Sequence, residues 1–175
     1  MTSDVDLSSG LQAWIRRADL DMIQGSQTDD GRTIIWNKGG EVRYFINLVD
    51  GWCLVTSSDR MGPENFNFAG ASMPVTEKYL YQAIGGSVRR DDLPSIRVPF
   101  ERHELRAGYT IGKQLFAGRE RKTLINGAGD ILAIAAIDQL ITLSHCLDAP
   151  VEAIKSSFEA ADGKPLFSAW KDLDA

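Results

Sequence analysis

Residues 32–62 constrain the fold more than any other stretch, because their pattern suits only strands that return on themselves. Thr33-Ile34-Ile35-Trp36 is β-branched and aromatic, the composition that a pleated, half-buried surface favours. Gly39-Gly40 supplies the positive φ angles of a tight turn. Val42, Tyr44, Ile46 and Leu48 then alternate with Arg43 and Asn47, the period of a strand with one buried face. Asp50-Gly51 is a strong hairpin signal, and Trp52 to Ser57 returns as the next strand. Successive strands on tight turns predict an antiparallel meander, not the parallel sheet of nucleotide-binding folds, whose strands need long crossovers.

The flanking segments predict helices that cover such a sheet. Leu11, Trp14, Ile15 and Ala18 repeat with helical spacing, and Ser8 or Ser9 can cap that helix. Leu20 to Ile23 is short enough for a strand, and residues 24–31 are turn formers. Gly62 to Ser72 reads as a loop punctuated by Pro63, Asn65, Asn67 and Gly70. A helix is expected over Thr76 to Ile84, ended by Gly85-Gly86 in a left-handed C-cap. Ile96 to Val98 reads as a short strand, and Glu101 to Gly118 opens with a helical turn and then supplies core residues. Lys122–Ile125 and Asp130–Ile134 flank Asn126 to Gly129 as a further hairpin. Asp138 is expected to cap a helix carrying Leu140, Leu143 and Leu147, and Pro150 to open a last helix with Val151, Ile154 and Phe158. Gly163 and Pro165 stop that helix and leave a tail. The expectation is α+β: one domain over residues 1–175, core about 8–168, with helices packed on an antiparallel sheet.

The net charge of −5 argues against a broad basic face, so nucleic acid is not an expected partner. The apolar run Ile131–Ile137 is too short to span a bilayer, and the acidic opening Met1 to Asp6 lacks the features of a secretory signal. A cytoplasmic protein with no membrane partner is therefore expected. Cys53 and Cys146 lie in apolar surroundings; buried free thiols are the expectation and a disulfide the alternative.

No catalytic constellation stands out. The histidines, His103 and His145, and the two cysteines lack short metal-ligand spacings. His145 and Cys146 are neighbours on a predicted helix and project about 100° apart, a poor geometry for a nucleophile and its base. Gly127-Ala128-Gly129 lacks the third glycine of a dinucleotide fingerprint and precedes a strand. No cofactor, metal or enzymatic activity is expected. A pocket near His103, Glu104 and Tyr109, serving a small ligand or a reaction, is the alternative.

What remains is the loop set Trp36, Asn37, Lys38, Gly39, Gly40, Asp59, Arg60 and Met61, with Arg43 and Trp52 beside it. Aromatic and Arg side chains concentrate at interface hot spots, because they desolvate large areas while making directional bonds. The same tryptophans can serve as core aromatics of the sheet. The loop set is the candidate partner-binding site.

Several blocks together carry a family likeness. They are Ile35–Phe45, Gly51-Trp52 with Val55–Glu64, Glu77–Leu80 followed by Gly85-Gly86, Leu143–His145, Ile154–Phe158 and Gly163–Phe167. In this order, over roughly residues 10–167, the chain resembles the actinobacterial immunity proteins of polymorphic toxin systems. The resemblance implies a cytoplasmic antitoxin that forms a heterodimer with a secreted NAD⁺ glycohydrolase toxin and inhibits it before export. It implies no catalytic residues. On this reading a modestly acidic protein is steered to a cation-lined toxin cleft. The loops then occlude the NAD⁺ entrance; a secretion chaperone that leaves the toxin active is the competing implication.

Overall fold

Asp50 and Gly51, with φ of 50° and 81°, make the two-residue turn that Asp-Gly favours, and the strands on either side pair from Val49↔Trp52 to Val42↔Asp59. That hairpin sets the register of a sheet of eight strands. The computed structural model describes residues 3–170; the outermost residues of both polar ends lie outside that range. The chain runs α1 (Ser9–Arg17), β1 (Asp21–Ile23), β2 (Thr33–Trp36), β3 (Val42–Val49), β4 (Trp52–Asp59), β5 (Asn65–Gly70) and α2 (Met73–Val88). It continues through β6 (Ile96–Arg97), β7 (Thr110–Phe116), β8 (Arg119–Ile125), β9 (Ile131–Ala135), α3 (Ile137–Leu147), α4 (Val151–Glu159) and β10 (Ser168–Ala169). The sheet order is β1-β2-β3-β4-β5-β9-β8-β7, antiparallel throughout, and β6 pairs with β10 separately. The fold is α+β, as the sequence predicts.

Side chains alternate along each strand, so the register assigns every residue to a face. Ile35, Ile46, Val55, Phe68, Ala133 and Leu124 share one face and form a single core with Leu11, Trp14, Ile15, Leu80, Leu140, Leu143, Ile154 and Phe158 of the helices. Trp14 is 1 % exposed yet keeps a hydrogen bond, donating from Nε1 to the Tyr81 carbonyl at 3.1 Å. Ser8 caps α1 by accepting from Leu11 N.

The opposite face carries Ile34, Trp36, Arg43, Phe45, Trp52, Phe66 and Phe116, and its residues stand outside the helix-covered core. Trp52 and Phe116 sit on β4 and β7, four places apart in the order, which a flat sheet would hold roughly 19 Å apart. Their ring centroids are 5.7 Å apart. The sheet therefore curls toward this face as a trough, which buries Ala69, Ile134 and Thr123 without a helix over them.

The structure corrects several expectations. Residues Asn65–Gly70 are a strand, not loop: Phe66 and Phe68 pack to opposite faces across a bulge at Asn67. α2 runs through Gly85-Gly86 to Val88, and neither glycine has positive φ. Ala136, not Asp138, occupies the N-cap of α3, and Asp138 lies in the first turn, where its charge complements the helix dipole. Pro150 is the N-cap of α4. β8 begins at Arg119, after an Ala117-Gly118 turn with φ of 47° and 82°. The expected tail pairs through Ser168 and Ala169 with β6, and Phe167, 5 % exposed, packs against Phe158 at 5.1 Å.

Candidate functional site

The register brings the two predicted loops together. β2 ends at Trp36, β3 starts at Val42 and β4 ends at Asp59, so the 37–40 and 59–62 turns lie side by side on one rim of the trough. Arg60 N donates to the Glu41 carbonyl at 2.7 Å and ties one turn to the other. By the same register the Ala117-Gly118 turn and the end of β9 lie on that rim too.

Each turn has its own local cause. In the first, Asn37 Oδ1 accepts from Val42 N at 3.0 Å, its carbonyl accepts from Gly40 N at 2.8 Å, and Gly39 and Gly40 take φ of 87° and 67°. In the second, Arg60 and Met61 take φ of 48° and 63°. Left-handed geometry at non-glycine residues costs roughly 1–2 kcal/mol each. The turn is held against that cost by Gly62 N to Asp59 O at 2.8 Å and Ser58 Oγ to Gly62 O at 2.7 Å. Met61 stands 77 % exposed at its tip. Lys38 Nζ is not free: it reaches Asp19 at 2.6 Å, a surface pair in which both side chains stay largely in water.

Trp36 is only half-buried. With Ile23, Ile34, Gly39, Gly40 and Arg43 it lines an apolar hollow of about 510 Å³ on the trough face, beside the first turn. Further along that face the Arg32 guanidinium lies 4.4 Å from the Phe45 ring centroid while pairing with Glu64, and Arg121 lies 3.9 Å from that of Phe66. The rim and trough thus present aromatic and cationic groups already fixed in place, which lowers the ordering cost of binding another surface.

The alternative site does not assemble. Glu104 pairs with Arg97 and accepts from Phe100 N and Glu101 N at 3.0 Å each, which holds its carboxyl down at about 2. His103 points into solvent, and Tyr109 Oη donates to Asp148 at 3.0 Å. His145 Nε2 is bonded to the Glu104 carbonyl at 2.6 Å. Cys53 and Cys146 are buried free thiols; burial raises both, Cys146 to about 12, and leaves no nucleophile at neutral pH. Among the described residues no cluster of His, Cys, Asp or Glu could hold a metal ion, and no helix is long and apolar enough to cross a membrane.

A sequence model of the family described as Immunity protein 61 matches residues 14–166. The chain belongs to that family. It is 58% identical over 173 residues, 98% of both chains, to the Immunity factor for TNT of Mycobacterium tuberculosis (strain ATCC 25618 / H37Rv). The homologue from Mycobacterium bovis (strain BCG / Pasteur 1173P2) matches with the same identity and coverage. The solved structure of Rv3902c from M. tuberculosis superposes with a TM-score of 0.95 at 58% identity, covering 98% of this chain and 99% of that one.

Reading the sequence found both turns but missed the trough face that joins them. Phe45, Phe66, Phe116 and Arg121 are not legible as a set, because only the run of pairings from β3 through β9 to β7 puts them on one side. The one available signal was alternation: Phe66 and Phe68 are two apart, and the bulge at Asn67 sends them to opposite faces.

Proposed function

We propose that this chain is the antitoxin of an NAD⁺ glycohydrolase toxin. It binds the toxin as a heterodimer in the cytoplasm of the producing cell and blocks the NAD⁺ entrance with its 37–40 and 59–62 turns. The observation that carries this reading is the Arg60-Met61 turn. Two bulky residues occupy positions that glycine or asparagine fills without strain, and one of them is among the most exposed apolar side chains. Such a turn stabilises nothing by itself; it holds out two side chains. The immunity family, and relatives named as immunity factors for TNT, supply the toxin as the partner.

Nanomolar inhibition requires about −12 kcal/mol and a total interface near 1,600 Å². The turns alone are too small for that. Trp36, Arg43 and the hollow beside them extend the contact along the trough, with Met61 as the apolar anchor and Lys38 and Arg60 as directional ones. The turns carry charges of both signs, Lys38, Arg43 and Arg60 among Glu41 and Asp59, so they suit a toxin lip of mixed charge.

Co-expression with the toxin domain, co-purification and assay of residual NAD⁺ hydrolysis test the activity. Copurification with full hydrolysis would instead mark a chaperone. Within the complex, Lys38→Ala/Arg60→Ala is expected to weaken affinity by about a hundredfold, two contacts at roughly 1.4 kcal/mol each. The Lys38–Asp19 pair is exposed, so its loss leaves the fold intact. Unchanged affinity in calorimetry would reject these turns as the anchor.

A further inference from the structure

β9 stops at Ala135 while both neighbours run on. Asn65 to Asn67 of β5 keep only β4 beside them, and Arg119 to Lys122 of β8 keep only β7. The missing length of β9 leaves a notch in the sheet at the rim, where the chain turns into α3. The notch opens into a hollow of about 320 Å³ lined by Phe66, Asn67, Arg119, Glu120, Arg121, Lys122 and Gln139 among others.

Two of its polar groups are without partners. The Asn67 bulge aims a side-chain amide inward, and Nδ2 is buried with no hydrogen-bond partner. Gln139 Oε1 is buried and unpartnered in the same lining. Both residues also line an inner hollow with Tyr44, Val55, Tyr79 and Ala83, and since an orphan of this kind costs roughly 1–3 kcal/mol, the pair marks a place between the two hollows where something polar is meant to sit. Among the described residues, Arg119, Arg121 and Lys122 form no ion pair, and Glu120 between them is turned toward Lys113 at 3.7 Å. Arg121 is fixed in place, donating from Nε to the Phe116 carbonyl at 3.0 Å and stacked on Phe66. Ala136 leaves the α3 N-terminus without a side-chain cap, so its first N–H groups add positive potential. Asp138 lines the adjoining hollow with Tyr79 and Gln82, whose Oε1 is also orphaned.

We infer that the notch binds a small phosphate ester with a hydroxyl-bearing body. The phosphate lies in the gap left by β9, with Arg121 on its trough side, Lys122 on the other and the Asn67 amide beside it, and a hydroxyl donates to Gln139 Oε1. Fixed cations and N–H donors match a dianion, whereas the buried acceptor of Gln139 asks for a donor that phosphate at neutral pH does not reliably supply. The hollow is at the small end of ligand pockets, which suits a sugar phosphate. This site is separate from the toxin reading and requires no toxin for its test.

Titration calorimetry and thermal melting of the full chain with ribose 5-phosphate, inorganic phosphate and ribose decide the matter. Ribose 5-phosphate is expected to bind and to raise the melting temperature, with inorganic phosphate at least tenfold weaker, roughly the worth of one good hydrogen bond. Ribose alone is expected to do neither. Lys122→Gln and Asn67→Ala should each weaken ribose 5-phosphate by about tenfold or more. Lys122 makes no ion pair among the described residues, so Lys122→Gln leaves the sheet intact where Arg121 variants would disturb Phe66. No saturable binding up to about 10 mM, or ligand affinity equal in both variants and the parent chain, would mean that the notch holds water alone and would overturn the proposal. Ribose binding as tightly as its phosphate would overturn it too.

Discussion

Gly85 and Gly86 are neighbours in the interior of α2, and substituting alanine at each should move stability in opposite directions. In a helix interior glycine is about 1 kcal/mol worse than alanine, so both changes begin with that gain. A methyl group on Gly86 meets nothing within 4 Å, and the gain stands. On Gly85 it would lie 2.3, 2.3 and 2.5 Å from Cδ2, Cε2 and Cζ of Phe158, more than an ångström inside a normal carbon contact. Phe158 cannot swing away: it is 4 % exposed and packed between Trp14, at 6.4 Å, and Phe167, at 5.1 Å. Overpacking of this kind costs roughly 1–3 kcal/mol, and the tightness here points to the upper end, for a net loss of about 2 kcal/mol after the helix gain. At about 2–4 °C per kcal/mol for a chain of this length, Gly86→Ala should raise the melting temperature by about 3 °C and Gly85→Ala should lower it by about 6 °C. Urea denaturation should give the same signs with unchanged slope. If Gly86→Ala destabilised like its neighbour, the pair would be a left-handed helix end after all, and the account of α2 packed on α4 through Gly85 would fail.

Two further predictions concern charge and thiols. Arg97 first, then the Glu101 and Phe100 N–H groups, hold Glu104 at about 2 against an ordinary 4.5, so Glu104 stabilises the fold above about pH 4.5 and loses that contribution as pH falls toward 2. The side chain is 19% exposed, so Glu104→Gln should cost about 2–3 kcal/mol at pH 7, and the gap to the parent chain should close near pH 2; a gap of constant size would refute the ion-pair account. Cys53 and Cys146 should resist an aromatic disulfide reagent in the native chain at pH 8 and react on addition of denaturant, and prompt reaction of Cys146 would contradict its burial.

The meander was legible because its signals are local and mutually consistent. Asp50-Gly51 fixes a turn, the alternation from Val42 to Leu48 fixes a face, and each supports the other. The errors fell where a tertiary contact overrides a local preference. Gly85-Gly86 looks like a helix stop, yet glycine is there to admit the Phe158 ring. The punctuated run from Gly62 to Ser72 looks like loop, yet Phe66 and Phe68 supply core on either side of a bulged strand that no local signal announces. Ser168-Ala169 has too little pattern to be read as a strand and becomes one only against Ile96-Arg97, some seventy residues earlier.

The candidate site divides along the same line. The turn residues are singled out by composition, because aromatic and Arg side chains concentrate at interface hot spots. Their strongest physical mark, the left-handed pair Arg60-Met61, is a backbone fact and could not be read from side-chain chemistry. The trough face is harder still. Trp52 and Phe116 are separated by 63 positions, and nothing short of the order β4-β5-β9-β8-β7 and the curl of that sheet explains rings 5.7 Å apart. A face assembled from several strands has no fixed spacing along the chain, so no sequence motif announces it. A local motif records only the part of such a face held on one turn, and in the 59–62 turn Arg60 and Met61 are left-handed and Met61 stands in solvent.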